Sequence, residues 1–213
     1  ARLELLKSQI NPHFLFNTLN MIAGTAQIED ADTTEKMITA LGRLFRYNLK
    51  SSDSVMPLER ELKVVQDYMY IQQMRFGSRV SHNFRVEVDG SETMIPAFTL
   101  QPLVENAVIH GVENLSEGAV IFVSSDLIAG PKGEAAVVIQ IADNGAGMDE
   151  ETLKRYCDFS VSAEEDSSSH FGLVSVEKRI KILYGQEYGI TVSSQVGKGT
   201  VVKVVLPALD RNK

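Results

Sequence analysis

Hydrophobic and polar positions in the first third of the chain recur at helical spacing. Leu3, Leu5, Leu6 and Ile10 begin the pattern, and at roughly 100° per residue Leu3, Leu6, Phe14 and Met21 share one apolar strip. This predicts a helix from residue 1 to about 29, interrupted or bent at Pro12. Beside that strip, Gln9, His13, Asn17 and Asn20 form a narrow polar one, so a single imidazole is displayed between amides. Pro12 inside a helix would cost about 3 kcal/mol; with Asn11 as N-cap it would instead be the first helical residue. Asp32 and Glu35 have the spacing of a capping box, opening a second helix that carries Met37, Ile38, Leu41, Leu44 and Phe45 to about residue 50. Residues 51–54 read as a loop, and Pro57 starts a third helix with Leu58, Leu62, Val65 and Met69, ending near Phe76. Broad apolar faces on three consecutive helices predict an antiparallel bundle that pairs with a second chain around a four-helix core.

From Arg79 the period changes to two. Val80, His82, Phe84, Val86 and Val88 alternate with polar neighbours as in a half-buried strand, which places a domain boundary near Gly77–Ser78 and makes His82 an inward or edge strand residue. Pro96 is expected to open a helix with Leu100, Leu103, Val104, Ala107 and Val108 on one side and Asn106, His110 and Glu113 on the other. Strands are expected at about 119–128 and 135–143, the second running into Asp143-Asn144-Gly145-Ala146-Gly147. The polar, Ser-rich stretch from about 148 to 170 has the composition of a mobile segment. A helix at about 171–184 and strands at 188–195 and 200–206 follow, the last two flanking Gly197-Lys198-Gly199-Thr200. Helices set against a mostly antiparallel sheet make this half α+β.

Composition narrows the function. With 44% hydrophobic and 23% charged residues among 213, the chain has a globular make-up. A net charge of −7 supplies no basic field, which argues against nucleic-acid binding. The one cysteine, Cys157, excludes an internal disulfide and fits a reducing compartment. No apolar run approaches the ~20 residues of a membrane span. Because the chain begins at Ala1, already inside an apolar-periodic pattern, it reads as a piece of a longer protein.

Three places carry candidate chemistry. Asp143, where a strand meets a glycine turn, is an acceptor-only group that suits the exocyclic amine of adenine and repels the carbonyl of guanine. Gly145 and Gly147 would let backbone approach a ring or a phosphate closely. Asn106 offers a neutral oxygen to Mg²⁺, which retains water and phosphate in its shell. Gly172, at a helix start, would present free N–H groups to phosphate. Each feature also has an ordinary use, since Asp/Asn/Gly clusters make good turns, so their order along the chain carries more than any one of them.

That order, Leu103-Val104-Glu105-Asn106-Ala107-Val108-Ile109-His110-Gly111, then Asp143-Asn144-Gly145-Ala146-Gly147-Met148, then Phe171-Gly172-Leu173, then Gly197-Lys198-Gly199-Thr200, resembles the N, G1, G2 and terminal glycine boxes of the GHKL ATPase superfamily. With Gln9-Ile10-Asn11-Pro12-His13-Phe14-Leu15-Phe16-Asn17-Thr18-Leu19 and Arg75-Phe76-Gly77, the whole chain looks like the cytoplasmic kinase core of a YesM/LytS-type sensor histidine kinase. The resemblance implies a helical dimerisation and histidine phosphotransfer domain over 1–77 and a GHKL (Bergerat) α/β sandwich ATP-binding domain over 78–213. It further implies that His13 is the phospho-acceptor and Asn106 the Mg²⁺ ligand, that Asp143 binds adenine, and that His110, Gly145, Gly147, Gly172, Leu173 and Thr200 complete the ATP pocket under a lid at about 149–171. The parent would be a homodimeric plasma-membrane sensor, anchored N-terminal to this fragment, that autophosphorylates with ATP and passes the phosphoryl group to an aspartate of a response regulator receiver domain. The alternative is a degenerate nucleotide-binding or partner-binding module. Two departures stand out: His170-Phe171-Gly172-Leu173-Val174-Ser175 lacks the usual first glycine and the asparagine, and Ile109 replaces a common basic residue. Many histidine kinases have an acidic residue after the acceptor to orient it. Phe14 stands there instead, so Glu105 is a candidate orienting base, and Asn17 could orient a water for dephosphorylating the regulator.

Overall fold

The structure, a computed structural model, describes residues 12–49, 55–112, 115–159 and 168–209. Helices α1 (Pro12–Ile28) and α2 (Asp32–Asn48) form a hairpin. Its corner is a Schellman turn with an aspartate in the glycine position: Ala31 N–H donates to Ala26 O at 2.8 Å, Asp30 N–H to Gln27 O at 3.2 Å, and Asp30 lies at φ +56°. The turn passes the chain into α2 one residue early, so Ala31 is the N-cap and Asp32 is already helical. The expected Asp32–Glu35 capping box therefore does not form, and Glu35 Oε1 accepts from Thr39 Oγ1 at 3.2 Å. Ala26, Ala40 and Leu44 are buried in the hairpin, while Phe14, Met21 and Ile28 remain exposed. The chain before Pro12, which decides between a bend and a cap there, and the loop at 51–54 lie outside the described residues.

Pro57 ends a short strand, β1 (Val55–Pro57), and the third helix, α3, runs Leu58–Phe76. After a 3-10 turn at Gly77–Arg79 comes β2 (Val80–Val86), then β3 (Met94–Pro96), α4 (Leu100–Asn106), a π-helical turn (Ala107–Val112), β4 (Ala119–Ala129), β5 (Ala135–Asp143), α5 (Glu150–Tyr156), α6 (Ser168–Tyr184), β6 (Gly189–Gln195) and β7 (Gly199–Pro207). The main sheet has the order β2-β4-β5-β7-β6, parallel only between β2 and β4, and β1 pairs antiparallel with β3. His82 lies on the edge strand β2, half-buried, with its ring edge toward Phe84, and burial lowers its pKa.

One core joins the layers. Leu62, Val65 and Met69 of α3, Leu100, Leu103 and Val104 of α4, and Leu173, Val176 and Ile180 of α6 pack on Ile121, Val123, Ile139, Ile141, Val204 and Leu206 of the sheet. The apolar stripe of α3 is thus spent on the sheet, and the core does not divide at 77–78. Toward α2, α3 presents Asp67, whose buried carboxylate takes a bidentate pair from Arg43 (Nε to Oδ2 2.6 Å, Nη2 to Oδ1 2.8 Å).

Pro96 does not open a helix. It completes β3, and α4 starts at Leu100 because the intervening turn is capped from another element. Glu61 of α3, fully buried, accepts from the backbone N–H groups of Phe98 (2.9 Å), Thr99 (3.1 Å) and Leu100 (2.9 Å). Phe98 sits at φ +59°, and its N–H also donates to the hydroxyl of Tyr47 from α2 at 2.5 Å. Arg179 of α6 donates to the carbonyl of Ala97. Burial pushes the Glu61 carboxyl up to about 7, against the three N–H groups and the Arg179 charge.

Because the folded carboxyl binds its proton more tightly than the unfolded one, the stability owed to this group is fully present below the ordinary value of 4.5 and is lost as pH rises toward about 7. Glu61→Gln has no such titration. In thermal melts, the Tm of Glu61→Gln minus that of wild type becomes more positive across this window, whereas Glu61→Ala, which strands buried donors, is less stable by several kcal/mol at every pH.

Candidate nucleotide site

A cleft of about 230 Å³ opens between α4, the end of β5 and α5, lined by Asn106, His110, Asp143, Gly147, Tyr156 and Thr200 among others. Strand periodicity puts Asp143 there. Val137, Ile139 and Ile141 of β5 are buried toward the helices, and Asp143, two residues further on the same face, ends that row as its only carboxylate. In register it stands between Ile121 and Thr200. Its Oδ1 accepts from Gly145 N–H at 2.8 Å; burial raises its pKa, opposed by the N–H groups of Gly145 and Thr200 and by the charge of His110.

The glycines around it are there for space. A Cβ on Gly111 would stand 2.8 Å from the Asp143 carboxyl, one on Gly145 2.2 Å from Gly111 Cα, one on Gly147 (φ +66°) 1.9 Å from Gln195 O, and one on Gly199 (φ +95°) 1.9 Å from Asp143 O. Gly197 N–H donates to Ala146 O at 2.6 Å, and the Ser194 hydroxyl accepts from Met148 N–H at 2.9 Å and lies 2.9 Å from Thr200 Oγ1. The β6–β7 hairpin thereby holds the glycine loop. Asn144 is a brace: it accepts from Val120 N–H at 2.7 Å and donates to Gly118 O at 2.8 Å.

Asn106 is 6% exposed, facing the cleft rather than solvent. The chain widens into the π-helical turn directly after it, which holds Gly111 against Asp143. Asn106 Nδ2 donates to the Tyr156 hydroxyl at 3.2 Å, so Oδ1 remains as the oxygen for a cation. Among the described residues no three His, Cys, Asp or Glu side chains gather as a metal cage. A lone neutral oxygen fits Mg²⁺ brought in with phosphates and water. Tyr156, its pKa pushed up to about 12 mainly by burial, keeps its proton.

Several expected site residues fall elsewhere. Leu173 is wholly buried in the core, and Gly172 lies a turn inside α6 rather than at its start, and a Cβ on it would be 3.0 Å from Pro102 Cβ. Glu105 is bonded by Gln101 Nε2 at 2.8 Å along α4 and does not line the cleft. His13 and Asn17 lie on the exposed side of α1 and are not cleft residues. The expected mobile stretch begins as helix α5, capped by Asp149 Oδ1 accepting from Thr152 N–H at 2.7 Å; residues 160–167 lie outside the described residues. Tyr156, Thr152 and Met148 were missed as site residues because that segment reads by composition as unpacked, although Asp149 three residues before Thr152 is a cap signal.

The family described as "Histidine kinase" matches residues 1–80, and that described as "Histidine kinase-, DNA gyrase B-, and HSP90-like ATPase" matches residues 96–210. The chain belongs to the histidine kinase-, DNA gyrase B- and HSP90-like ATPase family. Its second part is accordingly an ATP-binding domain. The chain is 31% identical to sensor histidine kinase YesM of Bacillus subtilis over 97% of its length, covering 33% of that relative, and 33% identical to sensor histidine kinase YpdA of Escherichia coli over 97%, covering 34%. It thus spans about a third of the length of the curated relatives it matches. The histidine kinase domain of the Erythrobacter litoralis EL346 blue-light activated kinase shares the fold at TM-score 0.50 and 16% identity, over 92% of this chain and 94% of that one. The catalytic domain of histidine kinase ThkA does so at 0.52 and 14%, over 74% and 98%.

Gly199→Ala introduces both a left-handed alanine and a clash with the Asp143 carbonyl, and is expected to lose on the order of 2 kcal/mol or more in urea unfolding. Gly24→Ala in α1, where a Cβ meets nothing within 4 Å, gains about 0.5–1 kcal/mol in the same assay.

Proposed function

We propose that this chain is the core of a sensor kinase that transfers the γ-phosphoryl group of ATP to His13 and then to an aspartate on a response regulator receiver domain. The observation that carries the reading is the pairing, in one chain, of an exposed imidazole on a helical hairpin with a cleft lined by both a half-buried carboxylate, Asp143, and a buried asparagine, Asn106. Asp143 would accept the adenine amine, while Thr200 and the loop Gly145–Gly147 would take up the rest of the ring. Asn106 would hold Mg²⁺, which neutralises phosphate charge when bound. His110, at the cleft, is suited to the phosphate side. Phosphoryl transfer asks mainly for alignment and charge neutralisation, and neutral imidazole is nucleophilic near pH 7.

In this reading residues 1–77 are the dimerisation and histidine phosphotransfer domain and 78–213 the ATP-binding domain, with α3 packed on the sheet of the latter. The exposed apolar residues Phe14, Met21, Ile22 and Phe45 would be covered by a second copy, giving a homodimer. The parent protein would be anchored in the plasma membrane N-terminal to this core, which works in the cytoplasm; no described helix is itself long and apolar enough to span a bilayer. Asn17 would also serve dephosphorylation of the regulator. The reading without phosphoryl transfer draws no support from a cleft in which Asn106 and Asp143 both face the ligand space.

Incubation with γ-labelled ATP and Mg²⁺ is expected to put acid-labile label on wild type and none on His13→Gln, with the ATP-induced rise in Tm retained by His13→Gln and lost in Asp143→Asn. Label on His13→Gln equal to wild type would refute the acceptor; an unchanged Tm shift in Asp143→Asn would refute the pocket.

A further inference from the structure

His13 and Asn17 stand one turn apart on α1, and the Asn17 amide nitrogen lies 3.2 Å from His13 Nδ1. The next residue, Phe14, carries no group that could hold the ring and is 70% exposed. A half-turn of the amide about its terminal bond exchanges Nδ2 for Oδ1 at the same place, and the two arrangements have opposite chemistry. With Nδ2 donating, Nδ1 must be bare, the neutral ring carries its proton on Nε2, and neither nitrogen has a lone pair to give. With Oδ1 facing the ring, Nδ1 carries the proton and donates it, and Nε2 keeps its lone pair.

We propose that Asn17 is a positioning residue whose Oδ1 holds His13 in the Nδ1–H tautomer and so makes Nε2 the atom that is phosphorylated. This rests on His13 being the acceptor. In the step, the Nε2 lone pair forms the bond to the γ-phosphorus of ATP, the bond from that phosphorus to the β,γ-bridging oxygen breaks, and its electron pair leaves with ADP. No proton moves. The Nδ1 proton stays in place, the ring becomes cationic and the phosphoryl group on it carries two negative charges. Since positive charge grows on the ring as the N–P bond forms, the contact with Oδ1 is stronger in the transition state than in the resting ring. A carboxylate in the same place would favour the doubly protonated imidazolium and withdraw nucleophile; a neutral amide fixes the tautomer without that loss.

The test uses the full chain labelled with ¹⁵N-histidine, whose four rings are told apart by the signal lost in His13→Gln. Nitrogen chemical shifts are expected to show wild-type His13 protonated on Nδ1, Asn17→Leu shifted toward the Nε2–H form, and Asn17→Asp, which keeps an acceptor oxygen, protonated on Nδ1. Asn17 is exposed, so these variants leave the fold intact. The initial rate of autophosphorylation should fall about five- to tenfold in Asn17→Leu at an unchanged ATP-induced rise in Tm, and recover only in part in Asn17→Asp, whose carboxylate keeps the tautomer but draws some of the ring into the imidazolium form. A wild-type ring protonated on Nε2, or a tautomer unaltered in Asn17→Leu, overturns the proposal even if the chain is an active kinase. A tautomer that follows Asn17 in a chain never labelled on His13 instead overturns the acceptor reading, and the phosphoryl step falls with it.

Discussion

A single buried carboxylate organises this molecule. Glu61 comes from the first turn of α3, the longest of the described helices, yet it caps a different helix, satisfying three N–H groups that no local side chain reaches. Removing a charge from water is costly, and burial pushes the Glu61 carboxyl up to about 7. Bonds to three backbone donors, with Arg179 close by, offset it and fix where α4 starts. Everything downstream depends on that start, because Asn106 closes α4 and Gly111 then meets Asp143.

The cleft follows from two periodicities that happen to converge. Along β5 the period of two carries an apolar row into the helix layer and leaves Asp143 at its end. Along α4 the helical repeat gives way to a wider turn, which lays a glycine against that carboxyl where any side chain would collide. The glycines at 145, 147 and 199 serve the same constraint from the other side. They let three backbone segments crowd one acid so that it is held by N–H groups while still facing the cavity.

Much of this was legible in the residues. Strand patterning placed the five strands of the main sheet within about two residues and missed the short pair β1 and β3, and the Asp143 turn and Asn106 stood out by their neighbours. What escaped were features set by distant partners. Pro96 looks like a helix start locally, but pairing with Val55 makes it strand, and the cap for the following helix lies on Glu61. The stripe of α3 fits a bundle as well as a sheet, since periodicity says which face is buried and not against what. Gly172 and Leu173 read as ligand residues by resemblance, and their places against Pro102 and in the core could not be read from the residues. Polar composition hid α5, whose short length leaves few apolar positions to count.

The Tyr47 hydroxyl brings the hairpin into the same turn. From Phe98, which it contacts through both hydroxyl and ring, to Asn106 there is only the seven-residue helix Leu100–Asn106, roughly 10 Å of rod. A rod that short is too stiff to absorb a tilt at one end. Any rotation of α2 that moves Tyr47 therefore works on α4 as a hand works on a short lever, and the far tip of that lever is the oxygen facing the cleft.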